Sequence, residues 1–517
     1  MPIRRRIGIA YLPGALPCFE DFGNLPTDLV DKDGQVNGEP ASKVLDMMII
    51  PSGSFIESQS INHTVSQEIL KMAEAGKFLL GICSGFQMLT KQTENGQSPT
   101  GSFVMEGLGL IDAKVQPLIC TDQVNARIVD KSFLSDAVGE KVFGFHCHTY
   151  GKVTLQGNSR RVFVSDIQRA NYRSAPQELI SGVANKEGNI VGVLVHGLLD
   201  KNSIFIEGIM KSLDIGQMEL QEIRKANAKL ISGIKSEVGI NTNIYTKAVT
   251  TKKMPVMVLV TALGSGSGKT FLVTGMAGAL KRRGYNVGLL KLGGDIRDSV
   301  PALYLVKGSM NSYSSIKIGE SGWMPVHEAI EQACGIHDFL FVEGAMSAFT
   351  GLLNSKTSHP ASTVEVAVSL GAPVIVIVTC DKEGVEGGLV NVLNYVSTLK
   401  LLGASPAGVI LNKMSTGYLT EKDHQIIEQS FENVGIQLLG VIPSIKFEKG
   451  NSTPEVGVCY DMFGTQALDV VEKYINLEQL VKLAKIPSKK DIDYRTFVEK
   501  FKKLLTNYAD NFAIKVE

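Results

Sequence analysis

Two stretches of the chain share one pattern: short, almost wholly apolar runs separated by longer segments with apolar residues at helical spacing. The first stretch holds Ile7–Tyr11, Val44–Pro51, Lys77–Ile82 and Ile190–His196. The second holds Val256–Ala262, Val287–Leu292, Phe339–Glu343, Pro373–Thr379 and Gly408–Asn412. A run with no alternation of polar and apolar positions suits a strand buried on both faces, and such strands joined by helices build parallel sheets covered on both sides. The pattern therefore predicts an α/β protein with two doubly wound parallel-sheet domains. Between them, from Asp214 to Lys253, a helical segment rich in Lys, Glu and Gln leads into the polar stretch Ser236–Thr251, read as a linker. This divides the chain into residues 1–213, 214–253 and 254–475. A tail, 476–517, shows helical periodicity in LEQLVKLAKI and YRTFVEKFKKLL and is expected to pack as a short helical appendage.

Composition narrows the class. A chain of 517 residues is too long for one core, and 44% hydrophobic with 20% charged residues is an ordinary globular balance. Lys+Arg and Asp+Glu are both 52, so no net charge points to nucleic acid or to an anionic membrane. The seven cysteines are scattered without CxxC pairs, which fits neither a disulfide framework nor a zinc cage and suits a reducing cytoplasm. The opening MPIRRRIGIAYLPG reads as a first strand rather than a signal peptide, and no run approaches roughly 20 uninterrupted apolar residues.

Two segments carry candidate chemistry. In Phe78–Leu89 an apolar strand passes into an apolar helix, with Cys83 at the turn between Gly81 and Gly85. Small neighbours permit the strained backbone of a nucleophile elbow, and a helix N-terminus favours thiolate. His196, at the end of an apolar run, is the candidate base; backbone N–H groups after Cys83 and in Pro51–Ser54 are candidate oxyanion donors. On these residues alone a buried, inert cysteine fits about as well. In the second region, Val258–Phe271 reads as strand, glycine-rich loop and helix. Gly264, Ser265, Gly266, Ser267 and Gly268 can turn backbone N–H groups toward phosphate, with Lys269 reaching the β- and γ-phosphates of ATP and Thr270 binding Mg²⁺. The strict phosphate-loop spacing fails at its first position, Leu263. Glu343 and Asp295, each just past an apolar run, are candidate Mg²⁺ ligands, with a strand-end salt bridge as the plainer alternative for each.

Both regions resemble known families. Gly81–Leu89 is similar to the nucleophile motif of class I glutamine amidotransferases. With Ile7–Pro13, Phe19–Phe22, Ile50–Ser54, Met105–Asp112, Gly144–His148 and His196–Asp200 it resembles the type found in cobyric acid synthase. Ser84 stands where that family usually has glycine, and Leu198 where conventional triads have glutamate; the cobyric-acid type also lacks that glutamate. His148 matches a family histidine that either touches the site or caps a strand, and His146 is read as structural. The second region resembles the dethiobiotin synthetase-like P-loop domain of cobyrinic acid a,c-diamide synthase through the phosphate loop, Lys291–Asp295, Val342–Met346, Ala372–Thr379, Gly408–Lys413, Leu439–Pro443 and Leu477–Leu480. Gly293-Gly294-Asp295 departs from the family's glycine-proline-aspartate, which leaves the acceptor open. In the synthases the P-loop domain comes first; here the order is reversed.

The resemblance implies a flavodoxin-like amidotransferase domain and a P-loop NTPase domain, with a base-recognition role for Asn412 and Lys413. It implies an ATP- and Mg²⁺-dependent enzyme that takes nitrogen from glutamine and amidates a carboxylate, on a corrinoid or related tetrapyrrole, through an acyl phosphate. The expected partners are glutamine and that small molecule, without nucleic acid or membrane; a homodimer is one open assembly. Three alternatives stand beside this reading: another acceptor, such as a cell-wall or nickel-tetrapyrrole precursor; a nucleotide switch of the partitioning type; and a scaffold with a degenerate amidotransferase half.

Overall fold

The computed structural model describes residues 3–11, 20–53, 63–94, 104–237, 254–354, 359–381, 384–415, 420–445 and 459–507. Pro13, Phe19, Ser54 and the linker residues 238–253 lie outside the described residues. The chain forms two compact units, one built mainly on the residues up to 242 and the other mainly on those after it.

The first unit is organised by a ten-stranded sheet. One half runs Asp28–Val30, Ile7–Ala10, Met47–Ile50, Phe78–Ile82, Ile190–Val193, all parallel. Both faces of this half are covered: Met47 and Ile49 enter one core while Met48 and Ile50 enter another. That is why the sequence there shows an apolar run and no alternation. The other half continues antiparallel through Arg173–Ala184, Arg160–Ala170, Gln123–Ile128, Lys141–His146 and Val195–His196. A second sheet of four strands contains Ile111–Cys120, whose residues alternate between buried and part-exposed positions. Such half-buried strands escape a search for continuous apolar runs.

Two expected strands are shorter than the apolar runs suggested. Val44 closes a helical turn, Ala41–Val44, before the strand Met47–Ile50 begins. The run Ile190–His196 breaks after Val193, because Val195–His196 swings away to pair with Lys141–His146. The helix Gln217–Glu237, assigned from sequence to the connecting segment, packs into the first unit. Leu220, Ile223 and Ile234 are buried there, Glu219 accepts the backbone N–H groups of Arg4 and Arg5, and Asn227 donates to the Pro26 carbonyl.

In the second unit seven parallel strands lie in the order Ser315–Ile316, Val287–Leu292, Phe339–Ser347, Val256–Ala262, Pro373–Thr379, Ser405–Met414, Gln437–Pro443. The tail packs against this unit. Lys485 exchanges two backbone hydrogen bonds with Met257, and Phe497, Val498 and Phe501 of the amphipathic helix Tyr494–Thr506 join its core. Among the described residues no helix is long and apolar enough to cross a membrane.

Candidate active sites

Cys83 sits between the strand Phe78–Ile82 and the short helix Ser84–Leu89 with φ 51° and ψ −106°. A non-glycine residue holds this conformation only where its surroundings enforce it. Two contacts do so. The Cys83 N–H donates to the Val193 carbonyl at 2.8 Å, and the helix start lies so close to the next strand that a Cβ on Gly85 would come 2.1 Å from the Ile50 oxygen. The sulfur is thereby fixed at the C-terminal edge of the parallel half-sheet, 3.9 Å from the Cys147 carbonyl oxygen.

His196 leaves the same sheet edge and lies close enough to Cys83 for its imidazole to feel the sulfur. Its other nitrogen, Nδ1, lies 2.5 Å from Glu20 Oε1, and Glu20 Oε2 accepts the Gly197 N–H at 3.1 Å. Phe145 stacks on the imidazole with ring centroids 5.5 Å apart. Both His196 and Glu20 are buried, at 1% and 5% exposure, so their charges interact with little screening by water. Burial works to lower the pKa of His196, but the Glu20 charge, together with the nearby Cys83 sulfur and the hydrogen bond that Glu20 accepts, outweighs it and pushes the imidazole up to about 10. His146 shows the contrast: equally buried and without a carboxylate partner, it is driven down to about 3.

The structure thus brings Cys83 and His196 together and adds Glu20, which the sequence reading had not assigned. Leu198 is buried, and the carboxylate arrives from a segment 176 positions upstream. The available clue was the Phe19–Phe22 match beside the first strand. Ser84 also has a definite place. Its hydroxyl accepts the Gly53 N–H at 2.8 Å, so this candidate oxyanion donor points at Ser84. His148 bonds to His146 through Nε2 and Nδ1 at 3.1 Å and to the Leu118 carbonyl at 3.3 Å, while His146 also reaches the Leu194 carbonyl at 3.2 Å.

In the second unit the strand Val256–Ala262 leads through Gly264–Gly268 into the helix Lys269–Arg282. Gly266 and Gly268 take φ of 76° and 87°, which side chains rarely tolerate. The loop is braced from within and from the side: Ser267 Oγ donates to the Gly264 carbonyl at 2.9 Å, and Asn412 Nδ2 to the Ser267 carbonyl at 2.9 Å. Lys413 Nζ donates to the Gly266 carbonyl at 2.9 Å and pairs with Asp381 at 3.2 Å. The Asn412 carboxamide is engaged at both ends, since its oxygen accepts the Lys413 N–H. In this structure the side chain buttresses the loop. Ser265 is exposed at the loop tip.

Thr270 Oγ1 donates to Glu343 Oε1 at 2.9 Å, so the hydroxyl and carboxylate expected to share a cation do meet. Lys291 Nζ donates to the same oxygen at 2.9 Å and pairs with Asp298 at 2.6 Å. Burial pushes the Glu343 carboxyl up against the pull of Lys291. For Lys291, burial is outweighed by Glu343 and Asp298, which raise it. Two donors, Thr270 and Lys291, converge on Glu343 Oε1, which fits an ionised carboxylate paired with a charged lysine. Lys269 donates to the Met346 carbonyl at 2.9 Å, and burial lowers its pKa. Asp295 stands apart from this cluster. Both its oxygens are held by the buried Arg297 guanidinium, at 2.8 and 3.0 Å, so the second acid beside Glu343 is Asp298. Lys291 and Asp298 were missed because a lysine inside an apolar strand and an acid on the next turn carry no spacing signature.

A buried Cys–His–Glu chain on one α/β sheet and a braced glycine loop on an all-parallel sheet describe an amidotransferase-type domain joined to a phosphate-loop domain. Comparison with known families agrees. Residues 6–204 match the CobB/CobQ-like glutamine amidotransferase domain, and residues 258–449 the CobQ/CobB/MinD/ParA nucleotide binding domain. The chain thus carries two domains of the CobB/CobQ type, and through them resembles the cobyrinic acid a,c-diamide and cobyric acid synthases. Hydrogenobyrinate a,c-diamide synthase of Mycobacterium bovis is 32% identical over 192 residues, 36% of this chain and 39% of that protein. Cobyric acid synthase of Clostridium botulinum is 29% identical over 192 residues, 35% of this chain and 36% of that protein. Each match thus covers less than two fifths of the relative's length. Among solved structures, PurLQS from Thermotoga maritima matches with a TM-score of 0.28 and 20% identity, over 45% of this chain and 99% of that one.

Proposed function

We propose that the chain is an ATP-dependent glutamine amidotransferase that converts a carboxylate of a corrinoid or related tetrapyrrole into a carboxamide. The observation that carries this reading is the buried His196 held between Cys83 and Glu20. An imidazolium beside a sulfur favours negative charge on that sulfur. Cys83 attacks the side-chain amide carbon of glutamine, and the resulting oxyanion collapses with cleavage of the C–N bond. The leaving nitrogen takes a proton from His196 and departs as ammonia, leaving a glutamyl thioester. Water then attacks that carbonyl, His196 accepts the proton, and glutamate leaves as the C–S bond breaks.

In the second unit the loop Gly264–Gly268 and Lys269 would hold the phosphates of ATP. An oxygen of the acceptor carboxylate attacks the γ-phosphorus, ADP leaves, and ammonia displaces phosphate from the acyl phosphate. Thr270 and Glu343 suit a Mg²⁺ ion, which takes oxygen ligands and keeps waters and phosphate oxygens around them. When bound there, the ion offsets phosphate charge. Lys291 holds Glu343 in its ionised form, and Asn412 and Lys413 keep the loop from collapsing inward.

The test is incubation with glutamine, ATP and Mg²⁺ and a panel of carboxylates, following glutamate, ADP and product mass. A corrinoid or related tetrapyrrole acid should give all three products together. Gly294, where the family usually has proline, keeps a second acceptor class in the panel: nickel-tetrapyrrole and cell-wall precursors. ADP release that depends on none of these acids would count against the amidation reading.

A further inference from the structure

Glu20 reaches His196 from an unusual piece of backbone. The residues just after it, Phe22, Gly23 and Asn24, have φ of 51°, 66° and 56°, three consecutive positions in the left-handed region. Left-handed residues normally occur singly, and each non-glycine one costs roughly 1 kcal/mol or more. Such a turn keeps one shape only if something outside it holds its backbone.

Asp200 is placed to do that. It lies four residues after His196, in the short helix Leu198–Lys201, and its two carboxylate oxygens accept two backbone N–H groups of the turn. Oδ2 takes the Asp21 N–H at 2.9 Å and Oδ1 the Gly23 N–H at 2.7 Å. With the contacts of Glu20 to His196 and to the Gly197 N–H, segments 196–200 and 20–23 are joined by four hydrogen bonds, two through each acid. Packing closes the remaining freedom: Phe22 is buried, and a Cβ on Gly23 would meet Ile206 at 2.3 Å and Leu199 at 3.3 Å. Asp200 also faces the Glu20 charge, a repulsion that a purely structural cap could avoid with Ser or Asn.

We propose that Asp200 is a positioning residue for glutamine hydrolysis: it locks the 20–24 turn so that Glu20 stays on His196 Nδ1. It acts through Glu20 and touches neither glutamine nor Cys83. The proposal rests on the amidotransferase reading, and its test has one readout that does not.

The experiment compares the full chain with Asp200→Ala, Glu20→Gln and the double variant. One measurement is glutamate release; the other is the low-field proton resonance of the His196 Nδ1–H to Glu20 hydrogen bond. Asp200→Ala should lower kcat by about 10- to 100-fold with KM little changed and should broaden or abolish the resonance. In the Glu20→Gln background it should cause no further loss, because the group it positions is already gone. Losses that multiply in the double variant, or a resonance and kcat within twofold of the parent, would overturn the proposal. If Asp200→Ala does not fold, Asp200→Asn, which keeps one acceptor oxygen, carries the same two readouts: a weakened resonance supports the clamp and an unchanged one refutes it. A parent protein that releases no glutamate sinks the amidotransferase reading, while the resonance still tests the clamp.

Discussion

Glu20→Gln removes one charge and leaves the shape of the site almost unchanged. Two histidines of this unit show what that charge does. His196, fully buried beside Glu20, is pushed up to about 10, whereas His146, as deeply buried and without a carboxylate, falls to about 3. In the variant, burial acts on His196 without its largest opposing influence, and the imidazole should be neutral at pH 7. Two consequences follow for catalysis: the sulfur loses the adjacent positive charge, and the imidazole is no longer held in one tautomer. Replacing the orienting acid in comparable triads lowers kcat by roughly 10³- to 10⁴-fold, so a loss on the order of 10³-fold, about 4 kcal/mol, is expected here. Glutamate release measures it, and ammonium-driven product formation should be untouched. The rate of Cys83 alkylation by iodoacetamide between pH 5 and 8, read by mass spectrometry, separates electrostatics from misfolding. A variant within threefold of the parent in kcat, with the same alkylation profile, would refute the role given to Glu20.

Three further outcomes are expected. Ser84→Gly removes the acceptor that holds the Gly53 N–H, and the freed donor should raise kcat for glutamate release by up to about tenfold; a fall would show that the Ser84 contact is productive. Lys291→Met leaves Glu343 buried without its cation, which should cost the second unit about 3–5 kcal/mol and abolish nucleotide-induced stabilisation; an unchanged melting temperature would contradict the ion-pair reading. Because the folded pKa of His196 is raised, its stabilisation is fully present below about pH 6.5 and is lost as pH rises through about 10. Urea unfolding of the first unit should therefore weaken by a few kcal/mol over that window in the parent and much less in Glu20→Gln; equal slopes would argue against the pair.

How much of this was legible from sequence depends on whether a feature is local. Cys83 and the phosphate loop each sit in one continuous strand–turn–helix segment, where glycine placement and apolar runs read directly as geometry. The parallel strands were legible because residues such as Met47 to Ile50 are buried on both faces. The antiparallel half was not, since strands such as Gln123–Ile128 alternate between exposed and buried positions. Glu20 and Lys291 depend on long-range contacts: one acid meets a histidine from far along the chain, and one lysine points off a buried strand toward an acid on its neighbour. Asp295 was a sound candidate by position, yet Arg297, two residues on, captures it and leaves Asp298 to face Lys291. For Asn412 the resemblance implied base recognition; its bracing of the phosphate loop is a long-range contact that sequence alone did not show.

The account is tested most directly by Cys83→Ala assayed in parallel with glutamine and with an ammonium salt, with ATP and a tetrapyrrole acid present in both. Loss of product with glutamine, and product at close to the parent rate with ammonium, is the predicted result. Equal loss with both nitrogen sources, or full activity with glutamine, would contradict the assignment of glutamine hydrolysis to Cys83 and of carboxylate activation to the phosphate-loop unit.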